Sequence, residues 1–253
     1  MKPIVEINNS FQRSINISYD LETVSILDSI IPNITFNRVL EDLANRHDKD
    51  GQAAFTWTGP YGSGKSLLSL LLMSFLSQDD TLLDTVKSKI SKEAYSNLEN
   101  SFICDKKWNI LPITGRKESI DDLLKFGLKS KKIRFTKDPI SSIKNYIKNN
   151  KLCIIIDEMG KSLEHSAEFG NDIYILQELA ELANRTKNLV FVGILHQSVS
   201  EYARDLPYSI RDEWSKIQGR FSDYTINTSN EEQLVLISKT IKRNEEVRIS
   251  KTF

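Results

Sequence analysis

Apolar positions along this chain fall into short continuous or alternating runs, separated by longer stretches with helical spacing. Ala53–Thr58 reads as a first strand, Asn109–Thr114 as a second, Leu152–Asp157 as a third, Leu189–Leu195 as a fourth and Tyr224–Ile226 as a shorter fifth. The third is apolar without a break, the pattern of a strand covered on both faces. Pro112 has no N–H to give a ladder, which weakens the second strand or places it at a sheet edge. Helical spacing is predicted over 65–77, 119–130, 139–150 and 230–243, and from a cap at Asp172 through Ala183. The first of these carries Leu67, Leu68, Leu70, Leu71, Leu72, Phe75 and Leu76, apolar nearly all round, so it is expected to be buried. Residues 79–107 are helical and polar and read as an insertion. Strands alternating with helices predict an α/β three-layer sandwich with a mostly parallel five-stranded sheet. We divide the chain into an N-terminal segment, 1–40, and a core, 41–253.

Composition changes this picture little. The 253 residues, 40% apolar, suffice for one large α/β domain or two small ones. Lys plus Arg number 34 and Asp plus Glu 34, so net charge names no partner. Charge is nonetheless blocked: between Lys106 and Lys151 thirteen basic side chains face four acidic ones. The densest part, Lys125 to Lys151, is a candidate nucleic-acid surface, against the plainer reading of solvated helix faces. Two cysteines, Cys104 and Cys153, in no metal-type spacing fit a reducing compartment, with Cys153 a small core residue. There is no signal-peptide layout and no apolar run of membrane-spanning length, so a cytoplasmic protein without membrane contact is expected.

The chemistry starts at Gly59-Pro60-Tyr61-Gly62-Ser63-Gly64-Lys65-Ser66, followed by Leu67. Glycines at these spacings let the backbone wrap phosphates, with N–H groups and the next helix N-terminus facing the anion. Lys65 reaches the β- and γ-phosphates, and the Ser66 hydroxyl ligates Mg²⁺. The motif lies between a predicted strand and a predicted helix, the context it needs. ATP and Mg²⁺ are therefore the expected ligands. Asp157 ends the third strand, where a carboxylate supports the metal, and Glu158 is placed to polarise an attacking water. No N-K-x-D guanine motif is visible. After the fourth strand, His196 or Gln197 is positioned for the γ-phosphate; a structural histidine is the alternative. Arg220, with Arg204 and Arg211 as competitors, is a candidate for stabilising charge on the transferring phosphoryl group, in its own or a neighbour's site.

Phosphate loop, strand ending Asp157-Glu158, polar-ended fourth strand and Gly219-Arg220-Phe221-x-Asp223 together resemble the nucleotide-binding domain of the AAA+ superfamily, over about residues 35–240. The resemblance implies a sensor role for His196, where the family usually has Asn, Ser or Thr. It implies a finger role for Arg220, although Ile217 replaces a second arginine of many members. It also implies homo-oligomers, and a helical lid of which this sequence offers one helix; the chain reads as a fragment of a longer polypeptide, or as one without a lid. Stretches such as TWTGPYGSGKS and NDIYILQELAELANR are similar to N-terminal ATPase domains of large bacterial antiphage-defence or DNA-processing proteins. That likeness implies adenine contacts around Phe11–Tyr19 and Pro32–Arg38. The expected activity is Mg²⁺-dependent ATP hydrolysis driving a conformational change or assembly. The alternative is a nucleotide-gated switch or scaffold, STAND-like, with little turnover.

Overall fold

The computed structural model describes residues 5–7, 15–21, 23–103, 106–170, 173–227 and 229–243. In chain order the elements are β1 (Val5–Ile7), α1 (Ile17–Asp20), α2 (Val24–Ser29), α3 (Ile34–Asp50), β2 (Ala54–Thr58), α4 (Lys65–Ser77), α5 (Asp80–Lys89), α6 (Lys92–Phe102), β3 (Trp108–Thr114) and α7 (Ile120–Ser130). Then follow α8 (Pro139–Tyr146), β4 (Lys151–Asp157), α9 (Gly160–Phe169), α10 (Tyr174–Arg185), β5 (Leu189–Leu195), α11 (Val199–Tyr202), α12 (Tyr208–Gln218), β6 (Ser222–Thr225), α13 (Asn230–Thr240) and β7 (Ile241–Arg243).

Five strands form one sheet in the order β3-β4-β5-β2-β6, and every pairing in it is parallel, not merely most of them. β4 and β5 are buried throughout, apart from partly exposed Lys151, as unbroken apolar runs demand. β3, the strand with Pro112, lies at the edge. The right-handed rule for parallel crossovers, applied to this strand order, puts α4 on one face and α7, α8, α10 and α12 on the other, and those four pack among themselves. α4 is buried on nearly every side, against β3 and β4 below and α1, α2 and α5 above. The polar stretch after it forms two capped helices, with Asp79 accepting from Thr81 N and Leu82 N and Ser91 from Ala94 N.

Three expectations need correction. The fifth strand begins two residues earlier than expected, at Ser222, and ends at Thr225, one short of apolar Ile226, because half its side chains are exposed and the pattern there is weak. The last helix stops at Thr240, and Ile241–Arg243 pairs antiparallel with Val5–Ile7, a two-stranded ribbon that no periodicity announces. The third helical stretch ends at Tyr146, not 150. Asp172 and Cys104 lie outside the described residues, and α10 starts without a side-chain cap at Ile173. α3 runs straight through residue 40, so the segment before the core is continuous with it. Cys153 is fully buried, and burial pushes its thiol pKa upward.

α3 is anchored to the insertion by His47, stacked on Phe102 with ring centroids 4.3 Å apart and bonded through Nδ1 to Ser101 Oγ at 2.8 Å. Burial, helped by Lys151 and Lys187, lowers its pKa from 6.5 to about 4. The unfolded chain therefore binds a proton between these values that the folded chain refuses. The associated stability is whole above pH 6.5 and is lost as pH falls toward about 4, on the order of 3 kcal/mol. Urea unfolding across that window should show this slope in the native sequence, and His47→Leu should flatten it. An unchanged slope in the variant would assign the acid sensitivity to other groups.

Candidate active site

Parallel pairing brings the strand ends together. Thr58 lies beside Leu195 and Thr114 beside Asp157, so the loop after β2, the acidic pair after β4 and His196 after β5 open at one edge. With Ile15, Asn16 and Thr114 they line a cavity of about 630 Å³.

The loop 59–64 turns through two left-handed glycines, Gly62 at φ 78° and Gly64 at φ 87°. Gly64 is doubly required, since a Cβ there would stand 2.7 Å from the Phe36 ring of α3. Lys65 is buried, and its ammonium donates to Gly59 O at 2.6 Å, Pro60 O at 2.7 Å and Ser63 Oγ at 3.3 Å. Burial lowers its pKa, and nearby Asp157 opposes the shift. The cation thus rests on its own loop's carbonyls, and a phosphate entering the cavity competes with them for its protons.

Ser66, one residue into α4, donates through Oγ to Asp157 Oδ2 at 2.7 Å. Asp157 Oδ1 accepts Glu158 N–H at 2.9 Å. Burial raises the Asp157 pKa, while the Ser66 and Glu158 hydrogen bonds and Lys65 pull it down. Two hard oxygens in contact at a cleft suit Mg²⁺, which takes one or two protein oxygens and fills its octahedron with water and phosphate. Glu158 itself has φ 54°, a left-handed conformation uncommon for a side chain of its size. Its carbonyl stands 2.3 Å from where a Cβ on Gly115 would sit, so Gly115 admits the turn. The Glu158 carboxylate is ion-paired with Lys161 on α9.

His196 lines the cavity under Tyr61, their rings stacked with centroids 3.7 Å apart. Its backbone N–H donates to Tyr202 Oη at 3.4 Å. Burial first, then Lys65, lowers its pKa. Arg220 is not brought to this cleft. It precedes β6 at the opposite, amino edge, with its guanidinium 3.5 Å from Glu181 and its carbonyl accepting from Gln52 and Asn184 side chains. Arg204 and Arg211 are exposed, Arg211 lying over the Tyr208 ring.

The two segments expected to flank the base separate. Residues 11–14 lie outside the described residues, Asn16 accepts from Thr114 beside the phosphate cavity, and Tyr19 is exposed. Pro32–Thr35 and Arg38 instead line a second cavity of about 500 Å³ with Asn227, Ser229, Glu231, Glu232 and Val235. There Glu232 of α13 accepts Ile34 N–H at 2.9 Å and Thr35 N–H at 3.2 Å at the start of α3. Lys161 and Thr114 escaped the sequence reading, and Phe36, inside the Pro32–Arg38 segment expected at the base, sits instead against Gly64 of the phosphate loop. Only Lys161 had a local signal, its i+3 spacing from Glu158; the others reach the site from distant parts of the chain.

No family model matches the chain, and no curated protein matches it. Solved structures do. The ORC2 protein of Aeropyrum pernix, solved as ADPNP–ADP complexes, superposes with a TM-score of 0.52 at 12% identity over 84% of this chain and 54% of that one. Cdc6p from Pyrobaculum aerophilum gives 0.46 at 12% identity, over 94% and 54%. PCH-2 of C. elegans gives 0.40 at 13% identity, over 84% and 48%. The chain spans about half the length of these structures. Among the described residues no helix is long and apolar enough to cross a membrane. With its parallel sheet in the order β3-β4-β5-β2-β6 and its glycine loop leading from β2 into α4, the chain has the fold of the AAA+ P-loop NTPases.

Proposed function

We propose that this chain binds ATP with Mg²⁺ in the phosphate-loop cleft and hydrolyses it, slowly until copies assemble. The observation that carries this reading is the contact of Ser66 Oγ with Asp157 Oδ2 beside buried Lys65, with Glu158 next in the chain. Lys65 and the α4 N-terminus hold the β- and γ-phosphates, and the base occupies the cavity between Pro32–Arg38 and α13. Ser66 and Asp157 hold the metal, which when bound neutralises charge on the phosphates. Glu158 accepts a proton from the attacking water, and His196 lies where it can donate to the γ-phosphate. Arg220, at the far edge and half-exposed, can serve only a neighbouring copy's cleft. Work on a larger complex, in antiphage defence or DNA processing within the cytoplasm, is the setting the sequence resemblance suggests.

Phosphate release should require Mg²⁺, vanish with a chelator, and rise per molecule as protein concentration rises. Arg220→Ala should remove that rise without changing nucleotide affinity. Turnover independent of concentration and of Arg220 would defeat the assembly reading. A switch with little turnover is favoured by one feature, the resting posture in which Lys161 holds Glu158 and Lys65 binds its own loop. It predicts negligible release at every concentration.

A further inference from the structure

The amino edge of the sheet, where β3 and β4 begin, carries a surface that the phosphate cleft does not use. α7 follows β3 and α8 precedes β4, and residues 133–136 of the segment between them meet Asn149 and Asn150, next to the start of β4. Phe135 is 45% exposed and stands between two concavities that share it and Ile133. One, about 380 Å³, has Ile133 and Phe135 as its floor and Lys125, Lys129 and Lys132 as its rim. The other, about 640 Å³, is lined by Arg134, Tyr146 and the amides Asn145, Asn149 and Asn150.

Charge here is in excess and uncommitted. The acidic residues within 120–150 are already engaged: Asp121 and Asp122 with Lys125, and Asp138 as the cap of α8. Lys129, Lys131, Lys132 and Arg134 are exposed and form no salt bridge among the described residues, while exposed Lys137 lies beside Asp138. Lys132 sits at φ 54°, the left-handed position after a helix where glycine is the usual residue.

We propose that this surface binds single-stranded nucleic acid, its backbone along the lysine rim and its bases in the concavities against Phe135 and Tyr146. Non-specific single-strand binding needs these two parts together, a cationic track and aromatic platforms. Phe135 and Tyr146 offer ring faces beside the cations, and only bases free of a duplex stack can lay their own faces on them. An acidic peptide would satisfy the lysines but leave the Ile133–Phe135 floor and the amide rim unmatched. The inference does not rest on the ATPase reading. β4 spans seven residues, which sets this edge about 20 Å from the phosphate loop.

Fluorescence polarisation of a labelled oligothymidine, without nucleotide, tests it. Binding should weaken steeply between about 50 and 200 mM salt. Lys129→Ala/Lys132→Ala/Arg134→Ala should weaken it at least tenfold and reduce the log–log salt slope by about 2, since each neutralised phosphate of a single strand adds about 0.7 to that slope. Phe135→Ala should weaken it about tenfold with the slope unchanged. Lys87→Ala/Lys92→Ala/Lys216→Ala, which removes equal charge elsewhere, should bind as the parent does, and so should Lys65→Ala, whatever that substitution does to ATP. The proposal fails if the oligonucleotide does not bind, if polyglutamate or duplex DNA competes equally well, or if the control triple variant loses as much as the test variant.

Discussion

Glu158→Gln is expected to bind Mg²⁺–ATP as tightly as the parent and to hydrolyse it more slowly by about 10²- to 10⁴-fold, the usual contribution of a positioned general base. Glutamine keeps the volume and the left-handed backbone of Glu158, so the close passage of its carbonyl past Gly115 survives. What disappears is the basic oxygen and the pairing with Lys161. That ion pair is partly exposed on both sides, 45% and 32%, so its loss costs at most about 1 kcal/mol. Stability and chemistry therefore separate in this variant. A fluorescent ATP analogue should report undiminished affinity, while single-turnover phosphate release should nearly stop. Release at the parent rate would show that another group takes the proton. Release and affinity falling together would show that Glu158 supports binding and not the chemical step.

The parts of this site differ in how far local sequence foretells them. Gly59 through Ser66 is a contiguous motif whose every fixed position answers a local demand, and β4 ends at Asp157 as its apolar run indicates. β5 matches its reading at both ends, because seven buried positions in a row leave no other register. Of the two readings that Pro112 left open through its missing N–H, a weakened strand or an edge strand, β3 takes the edge. Elsewhere the determinants are non-local. Phe36 lies under Gly64 and Asn16 meets Thr114 only because α3 and α1 fold back over α4 and β3. No spacing reveals such contacts. The ribbon β1–β7 pairs three residues with three from the far end of the described chain, too few for any period to register. Arg220 is instructive in another way. Strand direction alone requires a residue just before a parallel strand to lie at the amino edge, away from the phosphate loop, which removes its own cleft from the two sites that the sequence reading left open for Arg220.

Lys65→Ala is expected to weaken triphosphate binding by about 100-fold or more, with little change in the stability of the unliganded protein. The first part follows from charge. An ammonium aimed at phosphate oxygens supplies charge-assisted hydrogen bonds of about 1.5–3 kcal/mol each, and each 1.4 kcal/mol is tenfold in affinity. The second part follows from where the ammonium now rests. Its hydrogen bonds to Gly59 O, Pro60 O and Ser63 Oγ are absent in the variant. The penalty of burying a cation, which lowers its pKa despite Asp157, goes with them. The two changes oppose each other in the free protein, whereas in the complex nothing replaces the cation. Thermal unfolding with and without Mg²⁺–ATP reads both at once. At a ligand concentration 100 times the dissociation constant, the parent gains about 2.7 kcal/mol, and the variant at that same concentration gains less than about 0.5 kcal/mol. Equal ligand-induced stabilisation in the two proteins would place the phosphates away from Lys65 and overturn the cleft as the nucleotide site. A variant unstable without ligand would show instead that the resting contacts of Lys65 hold the loop together.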